Sequence, residues 1–231
     1  MAQFYENAKI PRIMEFGDLD SEKWLQYAGE ARGPARWIYG REARTLLAYE
    51  RKIAREFDVS LVVSPAEAKT FEERTGVRAE VVGNGVDFAR FRPDPKIPRR
   101  PGLLVFTGIM DYRPNVEGCV RFATRVLPKI RAEVPDATFR IVRAHPSRAI
   151  LELRGAGVEV TGAVAEPADH LREASVAVAP LRPGRGLQNK VLEAMACATP
   201  IVVSPNAGPG STPPIANIIS SPTPTTTRRA R

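Results

Sequence analysis

The stretch LRPGRGLQNKVLEAMACA, from Leu181 to Ala198, sets two glycines, Gly184 and Gly186, directly ahead of a helix-forming run. The first N–H groups of a helix have no intrahelical acceptor, and glycines before them let a ligand approach the backbone, which makes an anion site. Gly186, Lys190 and Glu193 recur at steps of four and three and so share one helix face. A helix N-terminus favours negative charge by about 0.3–1 kcal/mol, and a charge-assisted hydrogen bond from Lys190 or Arg185 adds roughly 1.5–3 kcal/mol. Glu193, further in, can accept from two neighbouring hydroxyls such as those of a ribose. A phosphorylated ligand could therefore run along this face, with Val191, Leu192, Met195 and Ala198 as the apolar side. The same residues admit a plainer reading, in which Lys190 and Glu193 form a surface ion pair of about 0.2–0.5 kcal/mol and the glycines only make the turn.

Other residues with chemical potential have simpler roles. Asp18 and Asp20 form a D-x-D that elsewhere holds a metal, but they precede Ser21 and a helix, where N-capping is expected. His145 and His170 have no Cys or carboxylate neighbours at metal-ligand spacing, so packing or surface roles are expected and no metal is. Tyr112 and Trp37 lack the interleaved basic positions of a base-stacking surface. Cys119 and Cys197 fall in apolar helical patterns and read as buried free thiols.

The elements around these residues alternate. Strands are predicted at Arg12–Phe16, Val59–Ser64 and Arg78–Val82, with a helix starting at Ser21, a longer helix whose apolar stripe runs Ile38, Ala43, Leu46, Leu47, Ile53, Ala54 and Phe57, and a third opened by Pro65. After the four prolines of Phe91–Pro101, strands are predicted at Leu103–Thr107, Phe139–Val142, Val158–Thr161, Val176–Pro180 and Ile201–Ser204. Helices are expected between them at Val116–Glu133, Pro146–Leu153, Pro167–Ala174 and Leu187–Ala198. Strands alternating with helices predict a doubly wound, parallel-sheet, Rossmann-like α/β fold. Its ligands belong beyond the carboxyl ends of the strands.

Residues 1–90 read as a partial N-terminal lobe, 91–101 as a linker, 102–205 as a C-terminal lobe and 206–231, rich in Pro, Thr and Ser, as a disordered tail. The 231 residues, 43% hydrophobic and 26% charged, suffice for a sizeable core. No run of about 18 apolar residues exists and the first residues carry no secretory signal, so a cytoplasmic location is expected. The net charge of +8 suits an anionic partner, yet no run of five basic residues occurs, which argues against nucleic acid.

QNKVLEAMA at 188–196, followed by PIVVS at 200–204, resembles the donor-site signature of the family 4 glycosyltransferases. DLDSEKW, YERKIAREFD, SLVVSPAEA, VVGNGVD, VFTGIMDYRPN and VLPKIRAEVPDATFRIV extend the resemblance over Phe16 to Ser204, closest to the sugar transferases of PEP-CTERM/exosortase exopolysaccharide systems. The resemblance implies a two-lobed retaining enzyme that moves a sugar from a nucleoside diphosphate sugar to a lipid-linked or polysaccharide acceptor, with no cofactor and possible peripheral contact with the inner face of the membrane. It makes Glu193 the ribose ligand, places Arg185, Gly186, Leu187, Gln188, Asn189 and Lys190 around the diphosphate and sugar, and makes Gly108 the close-approach glycine under the phosphates. A plain turn after a strand would also explain Gly108. Many members carry a second glutamate where Arg185 stands and a glycine where Arg143 stands. They also begin on a strand and Gly-rich loop and end on helices that are not found here, so the first lobe is expected to be incomplete, with the catalytic groups in its missing part. The alternative expectation is an inactive fragment that at most binds nucleotide sugar.

Overall fold

The computed structural model describes residues 10–110, 112–142, 146–181 and 188–204. Two parallel sheets organise them. The first contains β1 (Ile13–Gly17), β2 (Val59–Val62) and β3 (Glu80–Val81), in the order β1-β2-β3, packed with helices α1 (Asp20–Glu30), α2 (Pro34–Glu56) and α3 (Pro65–Thr75). The second contains β4 (Arg100–Thr107), β5 (Thr138–Val142), β6 (Val158–Val160), β7 (Ala174–Ala179) and β8 (Ile201–Val203), in the order β6-β5-β4-β7-β8. Its helices are α4 (Arg113–Arg121), α5 (Leu127–Glu133), α6 (Arg148–Leu151), α7 (Pro167–Glu173) and α8 (Asn189–Ala196).

Burial explains why the second sheet reads as near-continuous apolar runs. Val105 and Phe106 point to opposite faces of β4, yet both are 0% exposed. Phe106 packs with Phe122, Leu127, Phe139, Ile141 and Ile150 under α4 to α6. Val105 packs with Leu103, Leu171, Ala177, Ala194 and Cys197 under α7 and α8. Cys119 and Cys197 are both buried free thiols, one in each cluster.

Several local features depart from the sequence expectations for physical reasons. The single helix expected over Val116–Glu133 is two helices joined by a π-helical segment at Phe122–Val126, where Leu127 N–H reaches back to Phe122 O. Pro128 supplies the cause: it has no N–H to donate and its ring would clash with the carbonyl one turn earlier, which the wider π turn relieves. Helix α1 starts at Asp20 with Leu19, whose side chain makes no capping bond, as its N-cap, so neither Asp18 nor Asp20 occupies the N-cap position. Helix α3 follows the expected rule, with Ser64 accepting from Glu67 N–H at 3.1 Å and Pro65 next. On α2 the expected stripe holds from Ala43 onwards: Ala43, Ile53 and Ala54 are buried and Leu46, Leu47 and Phe57 partly so, whereas Ile38 at its start is exposed.

The Pro-rich segment Phe91–Pro101 is bound closely to the second sheet. Phe91 is buried in its core, and β4 begins inside the segment at Arg100. Arg172 donates to Arg90 O and Arg92 O, and Arg99 donates to Ala174 O and Ala198 O. A proline-rich stretch offers few backbone N–H groups, so guanidinium-to-carbonyl bonds hold it instead.

Candidate functional site

In the second sheet the chain runs outward from β4 to β5 and β6, then returns to the other side of β4 for β7 and β8. The loops after β4 and β7 therefore diverge, and the crevice between them is where a sheet of this kind binds ligands. A cleft of about 790 Å³ opens there. Its floor and walls are Thr107 at the end of β4 and Gly108 after it, Val142 of β5, Ala163 and Val164 after β6, and Gln188, Asn189, Lys190 and Glu193 at the start of α8. Asn84 and Arg90, from the chain that follows β3, line its other side.

The structure thus brings Gly108, Gln188, Asn189, Lys190 and Glu193 into one cavity. Arg185, Gly186 and Leu187, with Gly184, Arg143 and His145, lie outside the described residues. Helix α8 packs by Val191, Ala194 and Cys197, while Met195 is exposed and Ala198 lies past the helix end with φ 54°. This differs from the expected apolar side, because the close neighbours of α8 are β7, β8 and α7, which accept small residues at steps of three. Lys190 and Glu193 are only partly buried and line the cleft.

Lys190 Nζ donates to Asn115 Oδ1 at 3.1 Å and sits 5.0 Å from the centre of the Phe106 ring. Asn115 is buried in the first turn of α4, and its Nδ2 donates to Ile109 O at 2.8 Å. These residues also explain Gly108. A Cβ there would stand 2.9 Å from the Phe106 ring and 3.1 Å from Asn115 Nδ2, so glycine is required by its protein neighbours alone. Similarly, Gly118 lets α4 pass close to the end of β7, where a Cβ would lie 2.9 Å from Pro180 O. At the N-cap of α8, Gln188 Oε1 is buried and accepts no hydrogen bond from the described residues, leaving an unsatisfied acceptor in the cleft wall.

Charged and aromatic groups close the edges. Glu166 caps α7 through Ala168 N–H and pairs with Arg90 Nε at 2.9 Å. Some burial opposes ionisation, but these two donors hold its carboxyl below the usual glutamate value. Tyr112 carries Lys23 of α1 at 5.2 Å from its ring centre, and Arg113 lies 5.8 Å from that of Tyr27, joining α1 to α4. Beneath the floor, burial pushes the Cys119 thiol well up, against the opposing charge of Lys190. His170 lies away from the cleft beside Arg140, and Trp37 is exposed on α2. Among the described residues no group of three or more His, Cys, Asp or Glu side chains could hold a metal ion.

Asn115, Phe106, Asn84 and Arg90 escaped the sequence reading of the site. Asn84 and Asn115 stood in recognised motifs, but Asn115 meets Lys190 across 75 positions, which no local spacing reveals.

A family model described as glycosyl transferases group 1 matches residues 101–216, just over half of the chain. The chain belongs to the group 1 glycosyl transferases. All of β5 to β8 and nearly all of β4 fall inside the matched segment. Solved structures agree on the fold of this glycosyl transferase. Anabaena HepE in complex with UDP and glucose superposes with a TM-score of 0.64 at 14% identity, over 90% of this chain and 56% of that one. WaaG, a glycosyltransferase involved in lipopolysaccharide biosynthesis, gives 0.64 at 14% identity over 87% and 58%. The pneumococcal O-GlcNAc transferase GtfA in complex with UDP and GlcNAc gives 0.53 at 14% identity over 72% and 33%. The fold is therefore the parallel-sheet α/β lobe architecture of two-lobed glycosyltransferases, and the group 1 chain spans little more than half the length of HepE or WaaG. No curated protein matches the chain in sequence.

Proposed function

We propose that the cleft at the β4–β7 switch point holds a nucleoside diphosphate sugar and that the protein transfers the sugar. The observation that carries the reading is the convergence of Lys190, Glu193, Gln188 and Gly108 on one cleft inside the family-matched segment. HepE and GtfA, which share the fold, are described with UDP and a sugar. In this reading Lys190 and the N–H groups opening α8 take the diphosphate, with Arg185, Gly186, Leu187 and Asn189 around it and Gly108 beneath. Glu193 accepts from the ribose hydroxyls, and the unsatisfied Gln188 Oε1 accepts from a sugar hydroxyl.

The bond between the anomeric carbon and the diphosphate oxygen breaks as an acceptor hydroxyl bonds to that carbon and passes its proton to the departing diphosphate. Lys190 and the helix N-terminus stabilise the charge that develops on the departing diphosphate. By the motif resemblance the transfer retains anomeric configuration and belongs to family 4. The same resemblance makes the acceptor lipid-linked or polysaccharide, within a PEP-CTERM/exosortase exopolysaccharide system. The domain roles follow, with the donor on 102–205 and the acceptor towards 1–90.

A cytoplasmic place at the membrane surface suits such an acceptor. No helix among the described residues is long and apolar enough to cross a membrane. However, the solvent face of α2 opens with Trp37, 68% exposed, and continues through exposed Arg41, Arg44, Arg51, Lys52 and Arg55, a basic amphipathic surface that fits anionic headgroups. Arg185, standing where the resemblance expects glutamate, favours a second reading in which the sugar nucleotide is bound without transfer. Donor turnover separates the two. Incubation with UDP-glucose and with a GDP-hexose in the presence of a polysaccharide or lipid-linked sugar acceptor, followed by detection of free nucleotide, should show release that Glu193→Ala abolishes. Saturable donor binding without release would support the second reading.

A further inference from the structure

Asn115 is only 4% exposed, and its side-chain amide is spoken for at both ends. Nδ2 donates to Ile109 O at 2.8 Å, and Oδ1 accepts from Lys190 Nζ at 3.1 Å. The orientation is fixed by chemistry: a flipped amide would turn its NH₂ towards an ammonium and its oxygen towards a carbonyl. Lysine has a flexible four-carbon stem, so an ammonium without an anchor samples many positions. Here it is held from two directions, by Asn115 and by the face of Phe106 5.0 Å away. Gly108 preserves the arrangement, since any side chain there would press on both partners. Asparagine also has the right charge for the task. It accepts from the ammonium without neutralising it, whereas a carboxylate in its place would form an ion pair and cancel the field offered to an anion.

We propose that Asn115 is a positioning residue that fixes the Lys190 ammonium in the cleft for the diphosphate of the bound nucleotide. The proposal rests on the donor-site reading of the cleft. Asn115 acts through Lys190 and touches no reacting atom.

The test is calorimetric titration of the full chain with UDP and GDP, using uridine and guanosine as unphosphorylated controls, for wild type, Asn115→Ala, Asn115→Asp, Lys190→Ala and the Asn115→Ala/Lys190→Ala double variant. Asn115→Ala should weaken diphosphate binding about tenfold and leave nucleoside binding unchanged. The double variant should be no weaker than Lys190→Ala, and Asn115→Asp should lose at least as much as Asn115→Ala. A general packing defect would instead lower nucleoside and diphosphate affinity together. Should Asn115→Ala fail to fold, the near-isosteric Asn115→Asp decides by the same comparison. If Lys190→Ala loses the preference for diphosphate over nucleoside while the Asn115 variants keep it, or if the two losses simply add, the positioning role is overturned and the donor site stands. A wild-type protein with no preference for diphosphate overturns both.

Discussion

Glu50 of α2 accepts a hydrogen bond from the backbone N–H of Ser21 at 3.1 Å and a second from the Ser21 hydroxyl, so the first turn of α1 is capped by a side chain from another helix. Both residues are buried. Glu50→Ala leaves the two donors without a partner and is expected to cost about 1–3 kcal/mol of stability, read as a lowered urea midpoint. An unchanged midpoint would mean that water replaces the carboxylate.

Two carboxylates give opposite signs of pH dependence. Burial raises the Glu50 value above its ordinary 4.5, against the lowering effect of Ser21. Its contribution is therefore complete below 4.5 and declines as pH rises through the raised folded value.

Glu159 of β6 is the reverse case. Partial burial opposes ionisation, yet Arg140 at 2.6 Å and Arg100 at 3.2 Å bring its value below 4.5. Its contribution is present above 4.5 and lost as pH falls through the lowered value. Glu159→Gln should flatten the acid limb of a Tm-against-pH curve, and the effect should shrink in high salt because the carboxylate is partly exposed. Glu50→Gln should flatten the side above 4.5.

Ala198 follows α8 in the left-handed region at φ 54°, with Ala198 N–H bonded to Met195 O and Thr199 N–H to Ala194 O. A side chain in that conformation costs about 1 kcal/mol, which glycine avoids. Ala198→Gly should raise stability by roughly that amount in a thermal or urea melt, leaving α8 in place.

The basic face of α2 gives a binding prediction. Vesicles containing anionic lipid should sediment the protein more than zwitterionic ones do, and Trp37→Ala combined with Arg44→Glu and Arg55→Glu should remove the difference, since each basic residue near the surface contributes about 1 kcal/mol. Equal sedimentation with both vesicle types would deny α2 this role.

What the sequence disclosed follows from the range of the interactions involved. The alternation from Leu103 to Val203 and the spacing of Lys190 and Glu193 are local patterns, and they indicated the sheet and the end of it that carries the cleft. Boundaries moved where a local rule met a tertiary one. Asp18 and Asp20 looked like N-cap residues, but Leu19 stands at that position and Glu50 supplies capping bonds to Ser21 from 29 positions away. Phe91 looked like part of a tether but fills a core that only folding assembles. The π turn was written in Pro128, within the expected helix, and its consequence follows once the missing N–H is counted. Asn115 gave no local sign because its partner follows β7, next to β4 in the sheet but 75 positions on in the sequence.

The central claim is that the cleft binds a nucleoside diphosphate through α8. Its most direct test is calorimetric titration of the purified chain with UDP and GDP beside the Glu193→Ala variant. Saturable binding to one of them that the variant loses, with both proteins giving the same melting curve, is the predicted result. A folded wild type that binds neither nucleotide, or a Glu193→Ala variant that binds as well as wild type, would contradict it.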